Sequence, residues 1–228
     1  MPDAADADYD LEFFWDPVCP FAWVTSRWVQ LVVEQKGLTV DWRFIGLLIL
    51  NEDKDYATEF PPGYPEYHSL GLRGLRVAAA VRAAEGREPM GSLYTALGGG
   101  IWNRLPDGTR DMLAGYDEVV ATRAALAACG LAERYADHLH DESQDAAIRA
   151  DTEDALARTG RDVGTPIVAL ADGGPAFFGP VISRVPTAEE AVELWDAVMV
   201  LANWPGFSEM KRTAREWPQV PLLTGETG

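Results

Sequence analysis

Cysteine is almost absent: Cys19 and Cys129 are the only two in 228 residues. That count excludes a disulfide framework. Three scattered histidines add no zinc-ligand spacing, so no metal is expected. Positive charge is also scarce. Lysine and arginine total 19 against 36 acids, the formal charge is −17, and no basic run occurs. A nucleic-acid surface needs a positive footprint, so that class is excluded. Long apolar runs are missing too. The longest uncharged stretch, residues 89–103, is fifteen residues and holds four glycines. A membrane-crossing helix needs about twenty apolar residues. The first ten residues carry four aspartates and no lysine or arginine, unlike a secretory signal. The expected compartment is therefore the cytoplasm, with no membrane partner. The acidic charge favours solubility and leaves monomer or homodimer open.

What remains is a globular composition, 47% hydrophobic and 24% charged. Leu11 to Trp15 (LEFFW) is a short aromatic run ended by Asp16-Pro17, and reads as a buried strand. A helix is expected from about Pro20, because proline suits the first turn, to Gly37, which suits a helix end. Residues 39–50 read as a second strand, parallel to the first across a βαβ unit. Residues 52–70, rich in proline, tyrosine and acids, read as a long surface loop. Residues 71–159 then show helical periodicity in several segments. Gly98-Gly99-Gly100 is expected to interrupt the second of these. Strand character returns after Thr165-Pro166, with a hairpin turn at Asp172-Gly173-Gly174. Thr187-Ala188-Glu189-Glu190 fits a capping box at the start of a last long helix.

The order is β-α-β, a helical block, then α-β-β-α. This is the α/β order of a thioredoxin fold with an inserted all-helical subdomain. The expected division is residues 11–52 for the first part, 53–160 for the helical insertion and 161–217 for the second part.

Cys19 falls between the first strand and the first turn of a helix. Unpaired N–H groups and the positive end of the helix dipole lie there, and both favour a thiolate with a lowered pKa. Cys19-Pro20 is thus the candidate catalytic pair; a buried structural thiol is the competing reading. Thr165-Pro166, just before a short strand, suits a cis bond in a loop that offers backbone groups to a thiol ligand. Trp23, Asn51, Trp102 and Asn103 are candidate ligand contacts, each with a plain packing or turn-capping alternative. His68, His138 and His140 are expected on the surface, and the acids on solvated faces. Cys129, before a helix-stopping glycine, reads as a small buried residue.

The run Asp16-Pro17-Val18-Cys19-Pro20-Phe21-Ala22-Trp23, followed by Thr25-Ser26-Arg27-Trp28, resembles the cytosolic DsbA-like proteins of actinobacteria. Within them it resembles the mycothiol-dependent nitroreductase group. The likeness continues at Leu48-Ile49-Leu50-Asn51-Glu52, Leu93-Tyr94-Thr95-Ala96-Leu97-Gly98, Asp162-Val163-Gly164-Thr165-Pro166, Phe177-Phe178-Gly179-Pro180 and Lys211-Arg212-Thr213. The resemblance implies a DsbA-like thioredoxin fold and a thiol-disulfide site in the cleft between its two parts. It implies mycothiol as thiol co-substrate, and an electrophilic or disulfide substrate. Cys19 matches the family's attacking cysteine and Pro166 its cis-proline.

One position departs. Where the family's dithiol motif has its second cysteine, this chain has Ala22. A mixed disulfide on Cys19 must then be resolved by an external thiol. The expectation is a thiol-dependent oxidoreductase with a single nucleophilic cysteine, acting on nitro or disulfide substrates. Two rivals stand beside it: a kappa-type thiol transferase or isomerase that activates a bound thiol, and a non-catalytic small-molecule-binding protein.

Overall fold

The structure is a computed structural model and describes residues 9–108, 112–171, 173–212 and 216–226. Four strands form one sheet in the order β2-β1-β3-β4. They are β1 (Leu11–Trp15), β2 (Val40–Phe44), β3 (Ile167–Leu170) and β4 (Ala176–Phe178). β1 pairs parallel with β2, as the βαβ reading requires, and antiparallel with β3; β3 and β4 are antiparallel. β1 is buried along its whole length, which is why its sequence is apolar on both faces, Glu12 apart, rather than an alternation. Leu11, Phe13 and Trp15 join the main core, while Phe14 packs with Ile45, Ala155 and Ile167.

Helix α1 (Pro20–Lys36) crosses between β1 and β2 and ends at Gly37, whose φ of 67° is the left-handed conformation expected there. Between β2 and β3 come α2 (Leu47–Leu50), α3 (Tyr56–Glu59), α4 (Tyr64–Glu85), α5 (Met90–Trp102), α6 (Glu118–Ala128) and α7 (Asp145–Thr159). Two 3-10 stretches, Glu133–His140 and Glu142–Gln144, precede α7. α8 (Ala188–Ala202) opens with the capping box formed by Thr187 and Glu190, and α9 (Pro221–Thr224) closes the described chain.

Several local expectations need correction. The second strand stops at Phe44 and turns into α2, because the buried Asp16 carboxylate takes the Leu47 N–H at 2.8 Å. Residues 52–70 are not all loop. α4 begins at Tyr64, with Pro65 in the first turn, where a missing N–H costs nothing. Gly98-Gly99-Gly100 does not break α5. A Cβ on Gly98 would sit 2.4 Å from the Trp23 ring, so the glycine lets α5 close onto α1. His68 is buried, with its Nδ1 2.8 Å from the Tyr56 hydroxyl. Glu12, Asp16, Asp41 and Asp151 are buried acids, not a solvated face. Glu12 is held by Arg43 and Arg158, and Asp151 by Arg43 and Arg82. Asp172 and Thr213 lie outside the described residues.

Candidate active site around Cys19

Cys19 caps α1. Its backbone is extended, with φ −84° and ψ 112°, and Pro20 opens the helix behind it. The Ala22 N–H donates to Cys19 Sγ at 3.4 Å, and the thiol in turn donates to the Thr165 carbonyl oxygen at 3.5 Å. The Thr165-Pro166 bond is cis. A second cis bond, Gly179-Pro180, lies next to it in space, since the Gly179 N–H donates to the Pro166 carbonyl at 2.8 Å. The Thr25 hydroxyl donates to the Pro180 carbonyl at 2.9 Å. α1 therefore holds the loop that holds Pro166. Cys19, Pro20, Thr165 and Pro166 are brought together, although their segments are far apart in the chain.

The sulfur is not exposed. Cys19 has 6% of its surface accessible, and burial pushes its thiol up to about 12. The Ala22 N–H, and more weakly that of Phe21, lower it; the nearby Asp16 raises it further. The expectation of a lowered pKa is therefore reversed here: desolvation of a thiolate outweighs two backbone donors and the helix end. At neutral pH this burial favours the protonated thiol.

The loop before Cys19 is held by the helical block. Asp16, fully buried, accepts from Val18 N–H at 3.0 Å and Leu47 N–H at 2.8 Å, which shapes the loop before Cys19. Burial still raises this carboxyl to about 7, against the lowering by those two donors. α4 lies directly on the loop: a Cβ at Gly71 would sit 2.3 Å from Asp16 Oδ1 and 2.7 Å from Val18 Cγ2. Trp102 holds the loop from α5, its Nε1–H donating to the Pro17 carbonyl at 3.0 Å.

The other sequence candidates divide. Trp102 is wholly buried and spent on Pro17 rather than facing a cleft. Trp23 is packed against Gly98 and Tyr94, with the Arg27 guanidinium 4.1 Å from its ring centroid. Asn51 is buried and closes α2 by donating to the Leu47 carbonyl. Asn103 is exposed at the end of α5. Sequence reading missed Asp16, Tyr67 and Tyr94. Only Asp16 carried a local signal, as an acid between an apolar strand and a helix start.

Cys129 is free, like Cys19, and lies elsewhere. It lines a groove of about 690 Å³ with Gln30, Glu34, Trp42 and Thr95. Gln30 is eleven residues along α1 from Cys19, about 16 Å of helical rise. Among the described residues no cluster of histidine, cysteine and acid side chains could hold a metal ion. Nor is any helix of the described residues long and apolar enough to cross a membrane.

A helix-capping cysteine facing a cis-proline loop, on this sheet order with helices between β2 and β3, defines a protein of the DsbA-like thioredoxin class. The cytosolic disulfide reductase DsbM from Pseudomonas aeruginosa, solved with GSH, shares the fold at TM-score 0.51 and 16% identity. That match covers 84% of this chain and 99% of DsbM. More specifically, residues 18–212 match the Rv2466c-like family, described as mycothiol-dependent nitroreductase Rv2466c, and the chain belongs to that family. It is also 30% identical over 205 residues to the uncharacterized protein Rv2286c of Mycobacterium tuberculosis strain ATCC 25618 / H37Rv. That match covers 89% of this chain and 81% of the relative.

Proposed function

We propose that this protein is a monothiol oxidoreductase. In this reading Cys19 attacks a disulfide or similar electrophile, and a low-molecular-weight thiol, mycothiol by family, releases the product. One observation carries the reading: the Cys19 sulfur sits between the first-turn N–H of α1 and the Thr165 carbonyl beside Pro166, with Ala22 where a second thiol would be.

The sulfur end of such a co-substrate fits the groups present. The Thr165 backbone lies beside the point of attack, and the Ala22 and Phe21 N–H groups favour negative charge on Cys19. When bound, mycothiol supplies the second sulfur that Ala22 does not. Two-electron reduction of any acceptor, nitro compounds included, needs that second sulfur, because Cys19 alone cannot close a disulfide. The cycle has two states. In the closed state Cys19 is protonated and silent. In the open state water and substrate reach the sulfur, the desolvation penalty falls, and the helix N-terminus favours the thiolate. Two free cysteines suit a reducing, cytoplasmic compartment.

The test is turnover with a symmetric disulfide and a thiol in excess, in wild type and Cys19→Ser. Disulfide exchange that vanishes in Cys19→Ser supports the reading. A second reading draws on the protonated thiol itself: as a hydrogen-bond donor, Cys19 would stabilise the thiolate of a bound ligand, as a kappa-type transferase requires. A thioether product with an electrophile, retained in part by Cys19→Ser, would favour that reading instead.

A further inference from the structure

Tyr67 is a buried phenol whose hydroxyl nothing among the described residues satisfies. The residue is 5% exposed, and its oxygen has no hydrogen-bond partner among the described residues. Two other tyrosines are accounted for. Tyr56 is bonded to His68, and Tyr135 donates to Glu85 at 2.7 Å. Tyr94 also lacks a hydrogen bond, but it stacks on Trp15 beside Ser26, whose own bonds go to Trp23 and Arg27. An unmet buried hydroxyl is destabilising, so its retention at a site calls for a reason.

Its placement gives one. Tyr67, Gly71 and Gly74 lie at i, i+4 and i+7, on one face of α4. A Cβ at Gly74 would meet Pro17 at 3.2 Å, and one at Gly71 would meet Asp16 and Val18, so this face lies on the loop that ends in Cys19. The Tyr67 ring meets Trp102, the residue holding Pro17, with centroids 6.1 Å apart. The hydroxyl lies close enough to feel charge on Cys19 and Asp16, yet it forms no hydrogen bond to either.

We propose that the Tyr67 hydroxyl is the hydrogen-bond donor to the ligand sulfur that leaves when Cys19 attacks a disulfide. This rests on the monothiol reading above. Burial, with the nearby charges, holds the phenol pKa well above its ordinary value, so Tyr67 acts as a neutral donor and not as a base. In the first half-reaction the Cys19 thiolate attacks one sulfur of R–S–S–R′. The Cys19–sulfur bond forms, the S–S bond breaks, and R′–S⁻ leaves with the electron pair. Tyr67 donates to that departing sulfur as charge develops on it. The proton lost by Cys19 ends, through solvent, on R′–SH. In the second half-reaction an external thiolate attacks the mixed disulfide, Cys19 departs as thiolate, and the organic product is the new disulfide.

The test is Tyr67→Phe, which keeps the ring against Trp102. Two probes are compared by stopped-flow and intact mass, bis(2-hydroxyethyl) disulfide and 5,5′-dithiobis(2-nitrobenzoic acid). The first has a poor leaving thiolate, which needs a donor; the second has a good one. Tyr67→Phe should slow the first about tenfold or more, from the worth of a hydrogen bond to a charged group, and the second less than about twofold. 3-Fluorotyrosine at position 67, a stronger donor of nearly the same shape, should speed the first reaction. Equal slowing of both probes would mean a merely structural role, and no slowing of either would mean no role. Both results overturn the inference while leaving the monothiol reading intact. A wild type inert to both probes overturns the monothiol reading itself, and this inference with it.

Discussion

Alkylation of Cys19 by iodoacetamide tests whether burial or the helix end governs the sulfur. The perturbation is pH, in a Cys129→Ser background so that one thiol reports. At pH 8 an ordinary thiol with pKa about 8.5 is about one quarter thiolate. With its pKa pushed up to about 12, Cys19 is about one part in ten thousand. The rarer thiolate is also the stronger nucleophile. A Brønsted slope of about 0.4–0.5 over that gap returns roughly 25- to 55-fold. Net, Cys19 should alkylate about 50- to 100-fold more slowly than a free thiol at pH 8. The rate should climb tenfold per pH unit from 7 to 10 without levelling. That slope holds even if reaction runs through the open state, as long as the closed, protonated form dominates the population. Mass spectrometry of the labelled peptide supplies the rates. A plateau below pH 8, the mark of a thiolate already formed, would refute the argument that desolvation wins.

Three further outcomes follow from the packing. Gly98→Ala should cost about 1–3 kcal/mol in urea unfolding, because its Cβ meets the Trp23 ring at 2.4 Å; Gly100→Ala, with nothing within 4 Å, should gain about 0.5–1 kcal/mol. His68 and Asp16 set opposing pH dependences. Burial, helped by Lys54, lowers His68 to about 4, so the unfolded chain takes up that proton first and stability is lost as pH falls from about 6.5 to 4. Asp16 is raised to about 7, so the folded chain takes up that proton first and stability is gained as pH falls from 7 towards 4. Each is worth about 2–3 kcal/mol between pH 7 and 4.5, and the two largely offset each other in wild type. His68→Phe should then gain stability on acidification where wild type is flat; parallel profiles would remove His68 from the balance. Ala22→Cys should let Cys19 close an internal disulfide and expel a bound thiol, seen as a two-dalton mass loss in place of an adduct. A persistent adduct on that variant would show that position 22 cannot resolve Cys19.

Much of the frame was legible because its signals are local. Leu11 to Trp15, Pro20, Gly37 and the Thr187 capping box each declare themselves within a few residues. The place of Cys19 at a helix start and the cis Thr165-Pro166 loop were legible for the same reason. The start of α4 was not, since Pro65 in a tyrosine-rich stretch looks like loop until its place in a first turn is known. The glycines of α5 looked like an interruption because the Trp23 ring they admit is some seventy-five residues earlier in the chain. The protonation of Cys19 was least legible. A helix start says thiolate, and the burial of the sulfur reverses it. Tyr67 had no signal in its own neighbourhood, because an unmet hydroxyl exists only in three dimensions.

The most direct test of the monothiol account is the intact mass of the protein after incubation with mycothiol disulfide, with Cys19→Ser alongside. The account predicts one mycothiol adduct on the wild type, none at Cys19→Ser, and its removal by a second thiol. An adduct that persists in Cys19→Ser, or a wild type that stays unmodified in mycothiol disulfide at every pH up to 10, would contradict it.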